Sequence, residues 1–240
     1  MVTTRSVLLD VPHRQDSSPL HRALLGALGP LTGLRLLDVG CGVGRLLRAA
    51  ERRGARVSGV DGAVERLEIA RWALPDADLR EGQAGALPFG DGTFDVVTAR
   101  GVTPMIAELV RVTRPGGRVA VGGWVHPAGC WAETFGEHLR LLTLGEASTP
   151  RPEEAELGAA GLEVVATGEV GCPTEYRNLA AAWAALLGSE RLLLAIRIAG
   201  ECAVHDAFVA SVTPTVAPDG TVRLVKAFRY AVAVVPRHHV

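Results

Sequence analysis

Three glycines and two aspartates are the residues whose types and spacing carry chemistry here. The run from Leu36 to Leu46 reads Leu-Leu-Asp-Val-Gly-Cys-Gly-Val-Gly-Arg-Leu, with glycines at 40, 42 and 44. Residues without a Cβ let the chain turn sharply and let a ligand approach the main chain. A short apolar run, Leu34 to Val39, precedes them, and a helix-like run, Leu46 to Arg53, follows and is closed by Gly54. A glycine turn between a strand and a helix is the context a nucleotide-binding motif requires. Asp61 ends the next apolar run, where a carboxylate can accept hydrogen bonds from both hydroxyls of a ribose. The glycine spacing separates two kinds of cofactor. A dinucleotide fingerprint reads G-x-G-x-x-G, with pyrophosphate at the helix N-terminus. This chain reads G-x-G-x-G, preceded by Asp38. A carboxylate there repels pyrophosphate and suits a cofactor carrying an amino group and a sulfonium cation. Taken singly, Asp38 could instead cap the turn, and Asp61 could cap the following helix.

These residues need a frame, and the hydrophobic pattern supplies one. After the glycine turn, Arg56 to Val60 predicts a second strand and Ala63 to Ala73 a helix. Asp78 to Glu81 and Thr93 to Thr98 predict the third and fourth strands, Met105 to Val112 a helix, and Arg118 to Val121 the fifth strand. Leu20 to Leu28 predicts one short helix within a leader, residues 1–33. Strands alternating with helices imply an α/β fold with a mostly parallel sheet covered on both faces. The second half is less regular. Helices are expected over Trp131 to Leu144 and Pro152 to Ala160, and a sixth strand over Leu162 to Gly168. Three more helices are expected over Asn178 to Leu187, Glu190 to Ile198 and Glu201 to Val212, and a last strand over Val222 to Val235. Residues 34–240 then form one domain, and the segment 171–220 is a natural substrate cover.

Composition narrows the partners. The chain has 240 residues, is 48% hydrophobic and carries a formal charge of −1, with no long block of one sign. That favours a small-molecule substrate over nucleic acid, which normally needs a concentrated basic face. The four cysteines are dispersed, with no zinc-type spacing, so no metal site is expected. Dispersed cysteines and a polar start without a signal-peptide pattern fit the cytoplasm. Apolar stretches are too short or too interrupted to span a bilayer. The Ala- and Arg-rich, Lys-poor composition fits a GC-rich bacterial genome.

The run Leu36 to Leu46 resembles motif I of class I S-adenosylmethionine (SAM)-dependent methyltransferases. Gly82 to Phe89, then Asp91 to Val97, look like that family's third and fourth motifs, and Glu108 to Gly117 is similar to its post-strand helix and Pro-Gly-Gly turn. The match runs from Leu34 to Gly123 in the right order. The resemblance implies a Rossmann-like three-layer sandwich, with seven strands, the last antiparallel, and a helical insertion between the last two. It implies that Gly40 and Gly42 pack beneath the methionine portion of SAM, with Asp38 near its amino group. Asp61 would bind the ribose, Gly62 lie against the adenosine, Gln83 and Ala84 contact the adenine, and Arg100 face the methionine side. Two departures stand out. Gln83 occupies a place where relatives often carry Asp. The segment Arg100 to Glu108 is short, so one wall of the usual pocket is missing, open or supplied by another chain, as in a homodimer.

Methyl transfer is an in-line displacement that demands alignment and exclusion of water, and a base only where the acceptor must lose a proton. His126, after the fifth strand, and Tyr176, opening the inserted helices, are the candidate catalytic residues. Arg177 and Trp183 are candidate pocket-lining residues. His138 and Glu137 are expected on a solvated helix face, Arg229 and Tyr230 are expected to be structural, and His205 has no partner at metal spacing. The expected activity is methyl transfer to O, N or C of a small organic molecule such as a specialised metabolite, with S-adenosylhomocysteine (SAH) as product. Two alternatives stay open: a SAM-dependent cyclisation or rearrangement without methyl transfer, and a non-catalytic binding module.

Overall fold

The short apolar runs become strands because each is buried from both sides. The computed structural model describes residues 14–15, 18–100, 105–125, 130–143, 153–187 and 190–237. Strands β2 (Arg35–Val39), β3 (Arg56–Asp61), β4 (Asp78–Glu81) and β5 (Phe94–Arg100) alternate with helices α2 (Arg45–Glu51) and α3 (Val64–Ala73). Helix α4 (Ile106–Val112) then leads into β6 (Thr113–Val125). β2 pairs in parallel with β3 and with β5, β3 with β4, and β5 with β6. Near-continuous apolar runs such as Leu36-Leu37 and Val96-Val97 are what a parallel strand covered on both faces requires.

The order across the sheet is β1-β7-β8-β6-β5-β2-β3-β4, where β1 is Arg14–Gln15, β7 is Glu163–Tyr176 and β8 is Val222–Val234. Gly116 and Gly117 exchange backbone hydrogen bonds with Val235, and Gly122 lies against Phe228 and Arg229. β8 therefore runs antiparallel to β6, as expected for the last strand. The seven expected strands are all present. The two-residue β1, antiparallel to β7, is an addition. β6 begins earlier than expected because Thr113 already pairs with Phe94, before a register shift that absorbs the Pro-Gly-Gly turn. β7 is twice the expected length and places Tyr176 at a strand end rather than at the start of the helices.

The chain divides into two compact units. One comprises residues 18–124, 150–170 and 228–240, and contains α1 (Ser18–Ala27), α2 to α4 and α6 (Glu153–Ala159). Its core has two clusters. Leu24, Leu25, Leu28, Leu36, Leu46, Leu47, Leu67 and Leu79 gather in the first, and Leu37, Val39, Val97, Leu109, Val119 and Leu157 in the second. Arg118 donates to the Leu28 carbonyl at 2.6 Å, tying the end of α1 to β6. Asp95 accepts from the Arg35 backbone at 2.7 Å and from Arg114 Nε at 2.6 Å, which locks the near ends of β2, β5 and β6 in register.

The other unit comprises residues 1–17, 125–149 and 171–227, and contains α5 (Trp131–Thr143), α7 (Leu179–Leu186), α8 (Glu190–Ala199) and α9 (Glu201–Val212). Trp131, Phe135, Tyr176, Trp183, Val204 and Phe208 form its core. The Asn178 side chain accepts from the Ala181 backbone at 2.9 Å and so starts α7. No described helix is long and apolar enough to cross a membrane.

Candidate cofactor-binding site

The glycine turn is built from left-handed backbone. Gly40, Gly42 and Gly44 have φ of 74°, 55° and 75°, values that residues bearing a Cβ rarely adopt. Gly44 is also closely packed, since a Cβ there would lie 2.9 Å from Leu74. Gly40 and Gly42 face open space, with nothing within 4 Å of where a Cβ would stand. The left-handed conformation demands glycine at these two positions, and the open space above them is available to a ligand.

Where the turn's amides point decides what it can hold. The Gly40 and Cys41 N–H groups both donate to the Val60 carbonyl, at 2.8 and 3.0 Å. The Gly42 N–H donates to Asp61 Oδ2 at 2.7 Å, and the Gly44 N–H to the Cys41 carbonyl at 3.0 Å. Four amides of the turn are thus consumed internally. Asp61 Oδ1 accepts from the Ala63 N–H at 2.9 Å, so this carboxylate also ties the turn to the start of α3.

Asp38 is fully buried at the base of the turn. Its Oδ1 accepts from Thr98 Oγ at 2.7 Å, and its Oδ2 is buried without a hydrogen-bond partner. Burial pushes the Asp38 carboxyl above the usual range, against the opposing effects of Arg100 and of the Thr98 hydrogen bond. Arg100 Nε is likewise buried and unpartnered. An orphaned acceptor and an orphaned donor, close enough to couple electrostatically, are costly in a folded protein. They match the ammonium and carboxylate of an amino-acid group. Cys41, between Asp38 and Asp61, has its thiol pushed up to about 12, mainly by burial, and is an inert neighbour.

The remaining expected cofactor residues lie on the same rim. Gly62 is exposed at the end of β3, and a Cβ there would lie 3.8 Å from the Gly82 carbonyl. Gln83 is exposed and forms an isolated bridge with Ala86, and Ala84 packs on the second core cluster. The following loop is clamped by Arg111, a residue to which the sequence reading assigned no role. All five of its N–H groups are engaged, on both Glu108 oxygens, Asp91, and the Leu87 and Phe89 carbonyls. Glu108 also accepts from the Leu87 N–H at 2.8 Å, and its carboxyl is held down at about 2. Its sequence signal is the i, i+3 spacing of Glu108 and Arg111 on α4.

Residues 37–121 match the model of the methyltransferase domain family. That stretch is similar to a methyltransferase domain. The chain is 35% identical over 129 residues to a demethylmenaquinone methyltransferase of Renibacterium salmoninarum, covering 51% of this chain and 52% of that one. It is 36% identical over 117 residues to a ubiquinone biosynthesis O-methyltransferase of Paracidovorax citrulli, covering 46% and 49%. The chain thus spans about half the length of the curated relatives it matches. Among solved structures, the YcgJ protein of Bacillus subtilis shares the fold with a TM-score of 0.60 at 18% identity, over 91% of this chain and 98% of that one. The [4+2]-cyclase SpnF matches with a TM-score of 0.58 at 20% identity, over 91% and 81%. At such identities the likeness is one of fold.

Asp38, Gly40, Gly42, Asp61, Gly62, Gln83, Ala84 and Arg100 thus all lie within one compact unit. Tyr176 belongs to the helical unit, where it is buried, and burial pushes its phenol up against the effect of a hydrogen bond with Thr174. His126 lies outside the described residues, as do 101–104 of the short segment after β5. His138 is half-buried rather than solvated, with Nδ1 3.0 Å from Ser211 Oγ. His205 packs edge-on against Trp183, with ring centroids 5.0 Å apart. Arg229 pairs with Glu154 at 2.8 Å. No group of three potential metal ligands occurs among the described residues.

Proposed function

We propose that this protein binds SAM at the glycine turn and transfers its methyl group to O, N or C of a small organic acceptor. One observation carries the reading. The turn offers acceptors where a dinucleotide site offers donors, because four of its amides are spent internally and a buried carboxylate oxygen waits without a partner. That arrangement repels a pyrophosphate and suits a nucleoside whose other end is cationic. The group supplies a methyl already activated by its sulfonium.

The chain's own residues bind and orient. Asp38 Oδ2 would accept from the amino group, and Arg100 would face the carboxylate. Gly40 and Gly42 would leave room for the methionine portion, and Asp61 would use its remaining lone pairs on the ribose hydroxyls. Gly62 would lie against the adenosine, and Gln83 and Ala84 beside the adenine. Tyr176 fits the role of hydrogen-bond donor better than that of base, since its burial favours the neutral phenol. His126 is then the candidate base for acceptors that must lose a proton. The relatives named for quinone biosynthesis support an aromatic hydroxyl or ring carbon as the acceptor class. The segment 171–220 is proposed as substrate cover, the cytoplasm as the compartment, and a second copy of the chain as the source of any missing pocket wall.

Titration of the purified chain with SAM and SAH in a calorimeter tests the cofactor. Incubation with SAM and a panel of phenols, quinols and amines, read by product mass, tests the reaction. One SAH formed per acceptor consumed supports methyl transfer. An acceptor isomerised without SAH supports the cyclisation reading, and no binding of SAM or SAH overturns both. Normal turnover by His126→Ala would remove that residue from the chemistry, and sedimentation velocity tests the dimer.

A further inference from the structure

Inside β5, between Val97 and Ala99, lies Thr98, a polar side chain with no exposed surface. It is the register partner of Asp38 across the β2–β5 pair. Its hydroxyl oxygen is 2.7 Å from Asp38 Oδ1 and 3.3 Å from the Leu37 carbonyl. A hydroxyl has one proton to give. The shorter contact, to a carboxylate, takes it, since hydrogen bonds to ionised acceptors are the stronger ones. Asp38 Oδ1 is thereby consumed, while Oδ2 keeps its lone pairs.

We propose that Thr98 is a positioning residue for ligand binding: its hydroxyl turns the Asp38 carboxylate so that Oδ2 is the oxygen offered to the ammonium of the bound nucleoside. The proposal rests on the SAM reading above. Thr98 would do two things that an apolar residue of the same shape cannot. It fixes the plane of a carboxylate that no other described residue holds by a hydrogen bond, and it favours the charged form inside a buried site. The other groups acting on Asp38 are Arg100 of β5, which favours its charge, and Asp61 of β3, which opposes it. Cys41 of the turn stays a neutral thiol. Against burial, Thr98 and Arg100 are the two groups that favour the charged form of Asp38.

The test is calorimetric titration of the full chain with SAH, whose amino group is that of SAM, from neutral to mildly acidic pH. T98V keeps the side-chain volume and removes the proton. It is expected to weaken SAH about tenfold at neutral pH, the worth of one hydrogen bond to a charged group, and by more as the pH falls. T98S restores the hydroxyl and is expected to bind as the wild type does. In a D38N background T98V is expected to add no further loss, because its effect runs through Asp38. In ligand-free protein, T98V should carry the fall in stability caused by Asp38 ionisation to higher pH, while T98S should not. The proposal is overturned by T98V binding SAH like the wild type at every pH, or by T98V costing as much in D38N as alone. T98A repeats the comparison if T98V does not fold. Failure of the wild type itself to bind SAH is a separate outcome, which overturns the SAM reading and this proposal with it.

Discussion

At the scale of single residues, the site depends on where two carboxylates spend their lone pairs. Asp61 holds the turn through Gly42 and the helix start through Ala63, and has acceptor capacity left for a ribose. Asp61→Ala therefore removes internal bonds and ligand bonds together. It should weaken SAH binding by about 1.5–3 kcal/mol for each charge-assisted bond lost, measured by calorimetry; unchanged affinity in a folded variant would take Asp61 out of the site. Glu108 gives a pH prediction of defined sign. Its folded carboxyl lies at about 2, below its ordinary value of 4.5. The folded state thus binds its proton less readily than the unfolded chain, and its stabilising contribution is full above 4.5 and fades as the pH falls toward 2. Urea midpoints of the wild type should drop through that window, and those of Glu108→Gln should drop less. A profile unchanged by the substitution would mean that Arg111 does not hold the loop through Glu108.

At the scale of elements, the turn is held by what lies beneath it. A Cβ on Gly59 of β3 would stand 2.8 Å from Cys41 Sγ, 2.8 Å from Leu47 and 2.9 Å from Leu79. Turn, helix α2 and strand β4 thus converge on one missing side chain. All three neighbours sit in the same buried cluster and have little room to yield. Gly59→Ala should destabilise the protein by about 1–3 kcal/mol through overpacking, read from urea unfolding. A neutral result would show that the turn can lift away from the sheet without cost. Arg111 holds the loop before β5 through Leu87, Phe89 and Asp91. Lysine cannot reproduce a planar five-donor fork, so Arg111→Lys should lower the melting temperature although the charge is kept.

At the scale of the whole molecule, a ligand that binds only the folded state stabilises it by mass action. SAH at about 100 times its dissociation constant should add about 2.7 kcal/mol to the unfolding free energy, seen as a rise in melting temperature. NAD should add nothing, because four of the turn's amides are already bonded and the Asp38 carboxylate at its base repels a pyrophosphate. Stabilisation by NAD and not by SAH would reverse the assignment of the turn.

What the sequence by itself determined is local. Apolar runs, glycine spacing and the Asn178 start of α7 set the order of strands and helices, because each is a contest among neighbouring residues. Hence Asp78–Glu81 appears as the expected strand, and Asp38 and Asp61 stand where strands end. The extent of β7, the early start of β6 and the addition of β1 were settled by pairing with distant strands, which no local pattern encodes. The same holds for the site. The sequence named Asp38, but only the tertiary structure set Thr98 against one of its oxygens, 60 residues away, and left the other oxygen unpaired. It also directed the turn's amides inward and spread Arg111 over a loop 20 to 24 residues upstream. Hydrogen bonds depend on distance and angle rather than on residue type, so the partner of a buried polar atom emerges only when the sheet has assembled.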